Sequence, residues 1–282
     1  MSTAWRNQSE RGSPGMKRLV IWLALHLGRS FCRVLTVPAC AYFLVTAPRA
    51  RRASREFLTR ALGRRATWRD SFRHLFVFAT TLLDRVFLLS GRHRDLEVTL
   101  TNERVFEDAI AAGRGCLLLG SHLGSFELLG VVGSVERRLA INMVMHLDDG
   151  AGLRDLLAGC GETVPYKVIA LGQPGSMLRV RECLERGEVV GILADRVYGE
   201  EATQSVSFLG APARFSLSPF RLARITGAPA LTVFGLFQGG RRYEVVFEPL
   251  GAPQLVPYVA ILERQARRAP YNWFNFYDFW SA

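Results

Sequence analysis

The sequence has no C-x-x-C pair. Its five cysteines (32, 40, 116, 160 and 183) are odd in number, scattered and mostly in apolar settings, so we expect reduced cytosolic thiols and neither a disulfide framework nor a zinc or redox pair. No H-E-x-x-H or comparable cluster is present either. His146 is followed by the loop acids Asp148 and Asp149, a pattern of solvated surface, and neither a metal nor a cofactor is expected. No G-x-S-x-G elbow accompanies a histidine, so any reactive histidine would act on the substrate's own hydroxyl or amine. No apolar stretch reaches the roughly 18 to 20 residues of a clean membrane span. A signal peptide is not indicated, because no small-residue cleavage site follows the first apolar segment. Internal repeats and low-complexity tracts are also missing.

What is abundant is positive charge, and it is unevenly placed. The 282 residues carry a formal net charge of +11, with 18 Lys/Arg against 5 Asp/Glu in residues 1–95 and 18 against 20 in 96–282. A basic block attracts nucleic acid, an anionic membrane or an acidic protein. Here it is interleaved with apolar runs at 19–27 and 34–45, which favours the membrane and excludes nucleic acid as the expected partner. We expect a pair of membrane-surface helices bent near Pro38, with a tilted single span as the alternative. Arg49, Arg51, Arg52, Arg55, Arg60, Arg64 and Arg65 follow, and positive charge at the end of an apolar segment marks the cytoplasmic side. The apolar stretch 72–89 reads as a helix whose few polar residues include His74, Asp84 and Arg85.

From residue 96 the texture alternates. Strands are expected at 97–100, 116–119, 141–145, 166–170, 189–194, 206–209, 230–237 and 243–247. Helices are expected at 103–112, 126–132, 153–160, 176–186, 218–226 and 257–268. The fold class is therefore α/β, a mostly parallel mixed sheet flanked by helices with antiparallel additions at its edge. The organisation read from the chain is a flexible N-terminus (1–15), a basic and apolar membrane-associated helical region (16–95) and an α/β catalytic domain (96–282).

The chain is organised around Gly120-Ser121-His122-Leu123-Gly124-Ser125-Phe126-Glu127. The apolar residues 116–119 read as a strand buried on both faces, which delivers His122 to its C-terminal edge. A turn with Gly124 follows, then Ser125 as an N-cap and Glu127 in the first helical turn, where the dipole favours a carboxylate. On one regular helix His122 and Glu127 would point roughly 140° apart, so they meet only with the histidine on the loop. An imidazole held by a carboxylate is a general base; a strand-capping histidine beside an N-terminal helix acid is the plainer alternative. Asp195-Arg196 follows another strand, so both segments can line one cleft.

His122-x4-Glu127 resembles the HX4D/E signature of the lysophospholipid acyltransferase superfamily, in the form used by the lipid A late acyltransferases of the lauroyl/myristoyl type. The segments Gly191-Ile-Leu-Ala-Asp195-Arg196, Val206-Ser-Phe-Leu-Gly210-Ala-Pro-Ala213 and Leu222-Ala-Arg-Ile-Thr-Gly227-Ala-Pro229 agree in order. So does the ending Pro270-Tyr-Asn-Trp273-Phe-Asn-Phe-Tyr277-Asp-Phe-Trp280, and the resemblance runs from about residue 15 onward. That ending and the region around Trp5 also resemble acyltransferases that accompany aryl polyene or xanthomonadin-type pigment pathways. The resemblance implies a membrane-associated acyltransferase that moves an acyl group from a thioester, on acyl carrier protein or coenzyme A, to a hydroxyl of a lipid or glycolipid acceptor. It implies His122 as base with Glu127 orienting it. Asp195, Arg196, Arg154, Gly124 and Ser125 would contact substrate, with Arg154 as the basic residue that superfamily members place after the first motif. The implied location is the cytoplasmic face of the inner membrane, peripheral or single-pass. A non-catalytic membrane adaptor that docks an acyl carrier protein is the rival reading.

Overall fold

Cys116–Gly120 occupies the middle of the sheet, and all five of its residues are buried. Parallel neighbours flank it on both sides, so its alternate side chains enter two cores: Leu117 and Leu119 one, Cys116 and Leu118 the other. Burial pushes the Cys116 thiol up to about 12, which makes it an inert packing group. The computed structural model describes residues 14–92, 95–146 and 166–280.

Within these residues three helices come first: α1 (Pro14–Thr46), α2 (Pro48–Leu62) and α3 (Trp68–Leu89). Next are β1 (Glu97–Thr101), α4 (Glu103–Ala111), β2 (Cys116–Gly120), α5 (Phe126–Val131), β3 (Ile141–His146) and β4 (Lys167–Leu171). Then come α6 (Ser176–Glu185), β5 (Val189–Leu193), a hairpin of β6 (Thr203–Phe208) and β7 (Ala211–Ser216), and α7 (Ser218–Thr226). The last elements are β8 (Ala230–Gly239), β9 (Arg242–Pro249), α8 (Leu255–Arg268) and a 3-10 turn at Pro270–Asn272. The seven-stranded sheet has the order β1-β9-β8-β2-β5-β3-β4. Only the β8–β9 pairing is antiparallel, as expected of a mostly parallel mixed sheet flanked by helices.

The strand expected at 206–209 is part of a hairpin whose second strand, β7, was not among the expected strands. One expectation is corrected. The bend in the first helix lies at Gly28 (φ 81°, ψ 166°) and not at Pro38, which sits inside the helix. Only glycine adopts that backbone conformation without strain, whereas a proline costs one helical hydrogen bond and can be carried within a turn. The expected helix at 153–160 lies outside the described residues.

Just past the bend, Arg29 is buried. It donates to both oxygens of Asp84 in α3 at 2.6 and 2.8 Å and to the Gly240 carbonyl at 2.7 Å, while the Tyr243 hydroxyl donates to Asp84 at 2.7 Å. These bonds seat α1 on α3 and on the β8–β9 turn. Farther along α1, Phe31, Val34, Tyr42 and Val45 face outward. No single described helix is long and apolar enough to cross a membrane. The segment Ile21–Thr46 together with Pro48–Leu62, bent by 97° at the break, passes the same test of length and composition.

Candidate active site

Gly120 and Leu193 are register partners at the ends of β2 and β5. The residues that follow, Ser121-His122 and Ala194-Asp195, therefore leave the sheet side by side, at the carboxyl edge where open α/β sheets bind ligands. His122 Nδ1 lies 2.8 Å from Asp195 Oδ1, and the His122 backbone N–H donates to Asp195 Oδ2 at 3.0 Å. The indole N–H of Trp273 donates to the same Oδ2 at 3.0 Å. Burial alone would raise the Asp195 carboxyl, but the His122 charge and hydrogen bonds, with Arg196 nearby, outweigh it and hold the group at about 2. An ionised carboxylate only accepts, so Nδ1 carries a hydrogen, and in the neutral ring Nε2 is then the basic nitrogen. The imidazole side chain is 20% exposed and that of Asp195 1%, so the carboxylate is buried beneath a partly exposed ring.

The carboxylate on the imidazole is thus Asp195, where Glu127 was expected. Glu127 does occupy the first turn of α5, but its side chain is ion-paired with Arg85 of α3, and Ser125 Oγ is 3.5 Å from its second oxygen. The cause is packing. Helix α3 lies against α5 and offers a guanidinium to its first turn, whereas β5 brings Asp195 out beside His122.

Four successive amides of the loop are engaged within the protein. His122 N–H goes to Asp195, Leu123 N–H to Ser121 Oγ at 3.2 Å, Gly124 N–H to the Asn272 carbonyl at 2.8 Å and Ser125 N–H to the Gly235 carbonyl at 2.8 Å. Gly124 and Ser125, expected at the substrate, are scaffold at their backbone. Gly124 has φ +83°, and a Cβ there would come within 2.0 Å of the Gly235 carbonyl oxygen, so no other residue fits. The Phe274 N–H donates to the His122 carbonyl at 3.0 Å, so the loop lies between β8 and the segment that follows α8.

Around this loop, Tyr258 of α8 donates its hydroxyl to the Gly120 carbonyl at 2.8 Å. The Arg196 guanidinium donates to the Phe274 carbonyl at 3.3 Å and lies 5.5 Å from the Tyr277 ring centre. Arg154 lies outside the described residues. Arg85, Tyr258 and the Trp273 donor escaped the sequence reading. An arginine deep in the apolar stretch 72–89 was the available signal for the first, since a charge in such a helix needs a partner. The ending packs its aromatic rings in the core, and its two indoles donate to different partners, Trp273 to Asp195 and Trp280 to the Phe208 carbonyl at 3.2 Å.

A family model for bacterial lipid A biosynthesis acyltransferases matches residues 63–254, more than half of the chain. A search of curated proteins finds no match. The matched range includes Arg85, His122, Glu127, Asp195 and Arg196 and stops short of Tyr258 and Trp273.

Proposed function

The chain belongs to the bacterial lipid A biosynthesis acyltransferase family, and from that premise we propose an HX4E-type O-acyl transfer in which His122 is the general base. The protein is a lipid acyltransferase; the donor in this proposal is an acyl thioester on acyl carrier protein, and the acceptor is a hydroxyl of a lipid or glycolipid. The observation that carries the reading is the His122–Asp195 pair at the carboxyl ends of β2 and β5, which puts the hydrogen on Nδ1 and assigns Nε2 the role of base.

In the reaction Nε2 takes the acceptor's hydroxyl proton while that oxygen bonds to the thioester carbonyl carbon. The tetrahedral intermediate then collapses, the carbon–sulfur bond breaks, and the imidazolium returns the proton to the leaving thiolate. Asp195 stabilises the imidazolium between the two proton transfers. The amides from His122 to Ser125 are engaged inside the protein, which leaves the oxyanion to the amides near Gly120–Ser121 or to a basic side chain. Arg196 holds an anionic group of donor or acceptor, and Arg154 is assigned the same kind of contact. Glu127 acts through Arg85, which ties α5 to α3 and so fixes the loop that carries His122. Residues 16–95 form the membrane-associated region on the cytoplasmic face of the inner membrane, and 96–282 the catalytic domain.

The test is turnover of purified His122→Ala in detergent, with folding checked by circular dichroism. A loss of roughly 10²- to 10⁴-fold is expected, the usual worth of a general base. Asp195→Ala should fall in the same range. Glu127→Ala and Arg85→Ala should cost about equally, and the double variant no more than either, because the two act as one unit. Wild-type turnover in folded His122→Ala would sink the mechanism and favour a non-catalytic adaptor. Lipid profiles of cells with and without the gene name the product, a lipid A-like or an aryl polyene lipid.

A further inference from the structure

We propose that Trp273 is a positioning residue for the reaction: its indole N–H fixes the Asp195 carboxylate in the orientation that holds His122. The proposal rests on the reading of His122 as base. It concerns a segment outside residues 63–254, so the family match says nothing of it.

Asp195 is reached by three donors, and two of them come from His122 itself. Those two move with the loop. The indole N–H at 3.0 Å on Oδ2 is the one donor of the three that reaches the carboxylate from a different part of the chain, so it fixes the carboxylate plane independently. Trp273 is in turn held rigidly. Its ring meets Phe57 at 4.8 Å, Phe208 at 5.1 Å and Phe279 at 4.8 Å between centroids, all edge-on. Its backbone pairs with Leu123, and its carbonyl oxygen lies 2.9 Å from Nε2 of the buried His74. Among the described side chains of the ending, the Trp273 indole is the one that donates to Asp195, and the rest of its ring surface is packing.

The same bond sets the basicity of the pair. An N–H on Oδ2 withdraws negative charge from the carboxylate and weakens its support of the imidazolium. Removing it leaves His122 facing a more basic partner, so more acid-side activity is lost. Among the described residues, the other charged and titratable groups around the pair are Arg196 after β5, Tyr258 on α8, Tyr277 in the ending, and His74, Arg85 and Glu127 on α3 and α5. Tyr258 and Tyr277 are held above the ordinary phenol value, first by burial, and do not titrate near neutrality. Arginine stays charged throughout.

The experiment compares pH profiles of kcat and kcat/KM for the full chain in detergent, for wild type, Trp273→Phe, Phe57→Leu and His122→Ala. Trp273→Phe keeps the ring and deletes the donor. We expect roughly tenfold lower kcat at neutral pH, an unchanged KM, and an acid limb moved upward by about half a pH unit. Phe57→Leu disturbs the same ring cluster without touching Asp195; it should lower the Tm and leave the limb in place. A folded Trp273→Phe protein with the wild-type limb and kcat overturns the proposal and leaves the base reading intact. Active His122→Ala overturns that reading and the proposal with it. If Trp273→Phe fails to fold, wild-type protein with ¹⁵N-labelled indoles decides. One of its five tryptophan N–H signals must shift with pH along the acid limb, and five invariant signals overturn the proposal.

Discussion

His74 shows how burial turns a titratable group into an acid-sensitive joint. It is fully buried between α2 and the C-terminal segment, with Nδ1 2.9 Å from Ser54 Oγ and Nε2 2.9 Å from the Trp273 carbonyl oxygen. The carbonyl only accepts, so Nε2 donates to it and Nδ1 accepts from the serine; the ring is neutral. Burial pushes its pKa down from 6.5 to about 4, against the bond to Trp273. The unfolded chain therefore takes up a proton below pH 6.5 that the folded chain refuses. Stability is complete above that value and declines by roughly 3 kcal/mol as pH falls to 4. Asp195 titrates in a different window: its pKa is depressed from 3.8 to about 2, so its contribution is present above about 4 and is lost only toward 2. Urea unfolding at pH 7 and pH 4.5 should show the His74 decline in wild type. His74→Leu should flatten it while costing about 1–3 kcal/mol at pH 7 through the unpaired Ser54 hydroxyl. An unchanged slope in the variant would assign the decline elsewhere.

Among the elements, α1 depends on one buried cation. Arg29→Met leaves Asp84 charged in the interior with only Tyr243 beside it, and we expect a loss of about 3–5 kcal/mol. Asp84→Leu added to Arg29→Met should recover much of it, because both charges are then gone; chemical denaturation of the three proteins checks this. The sheet was largely legible in sequence for a comparable reason. A strand buried on both faces needs a continuous apolar run, and 116–119 and 189–194 are such runs. What local sequence does not carry is which strand lies beside which. Asp195 and His122 are 73 residues apart, and their pairing follows from β2 and β5 being neighbours. Glu127, five residues from His122, looked the nearer partner because spacing in sequence was the only distance available. Its partner Arg85 comes from α3, and nothing in the octapeptide foretells that helix's approach.

At the scale of the whole molecule, the basic block divides into arginines with work inside the fold and arginines without a described ion pair. Arg51 donates to the Leu44 carbonyl at 2.7 Å and lies over Trp68, and Arg64 pairs with Asp70. Arg49, Arg65 and Arg69 are among the exposed arginines of the block with no described ion pair, available to an acidic carrier protein or anionic lipid. Reversing these three charges should slow the reaction of an acyl carrier protein thioester selectively over a coenzyme A thioester in detergent without anionic lipid, and more steeply at low salt. An equal loss for both donors would assign the block to the membrane alone. The Leu123–Trp273 bridge joins positions 150 residues apart, with the strands of the sheet between them. At a synthesis rate of about 5–20 residues per second, roughly 10 to 30 s separate the appearance of the two. A nascent chain can hold every residue of the matched range, His122 and Asp195 included, before Trp273 has been added. The contacts that Trp273 makes with Leu123, Asp195 and His74 can therefore form only after the rest of the sheet has been synthesised.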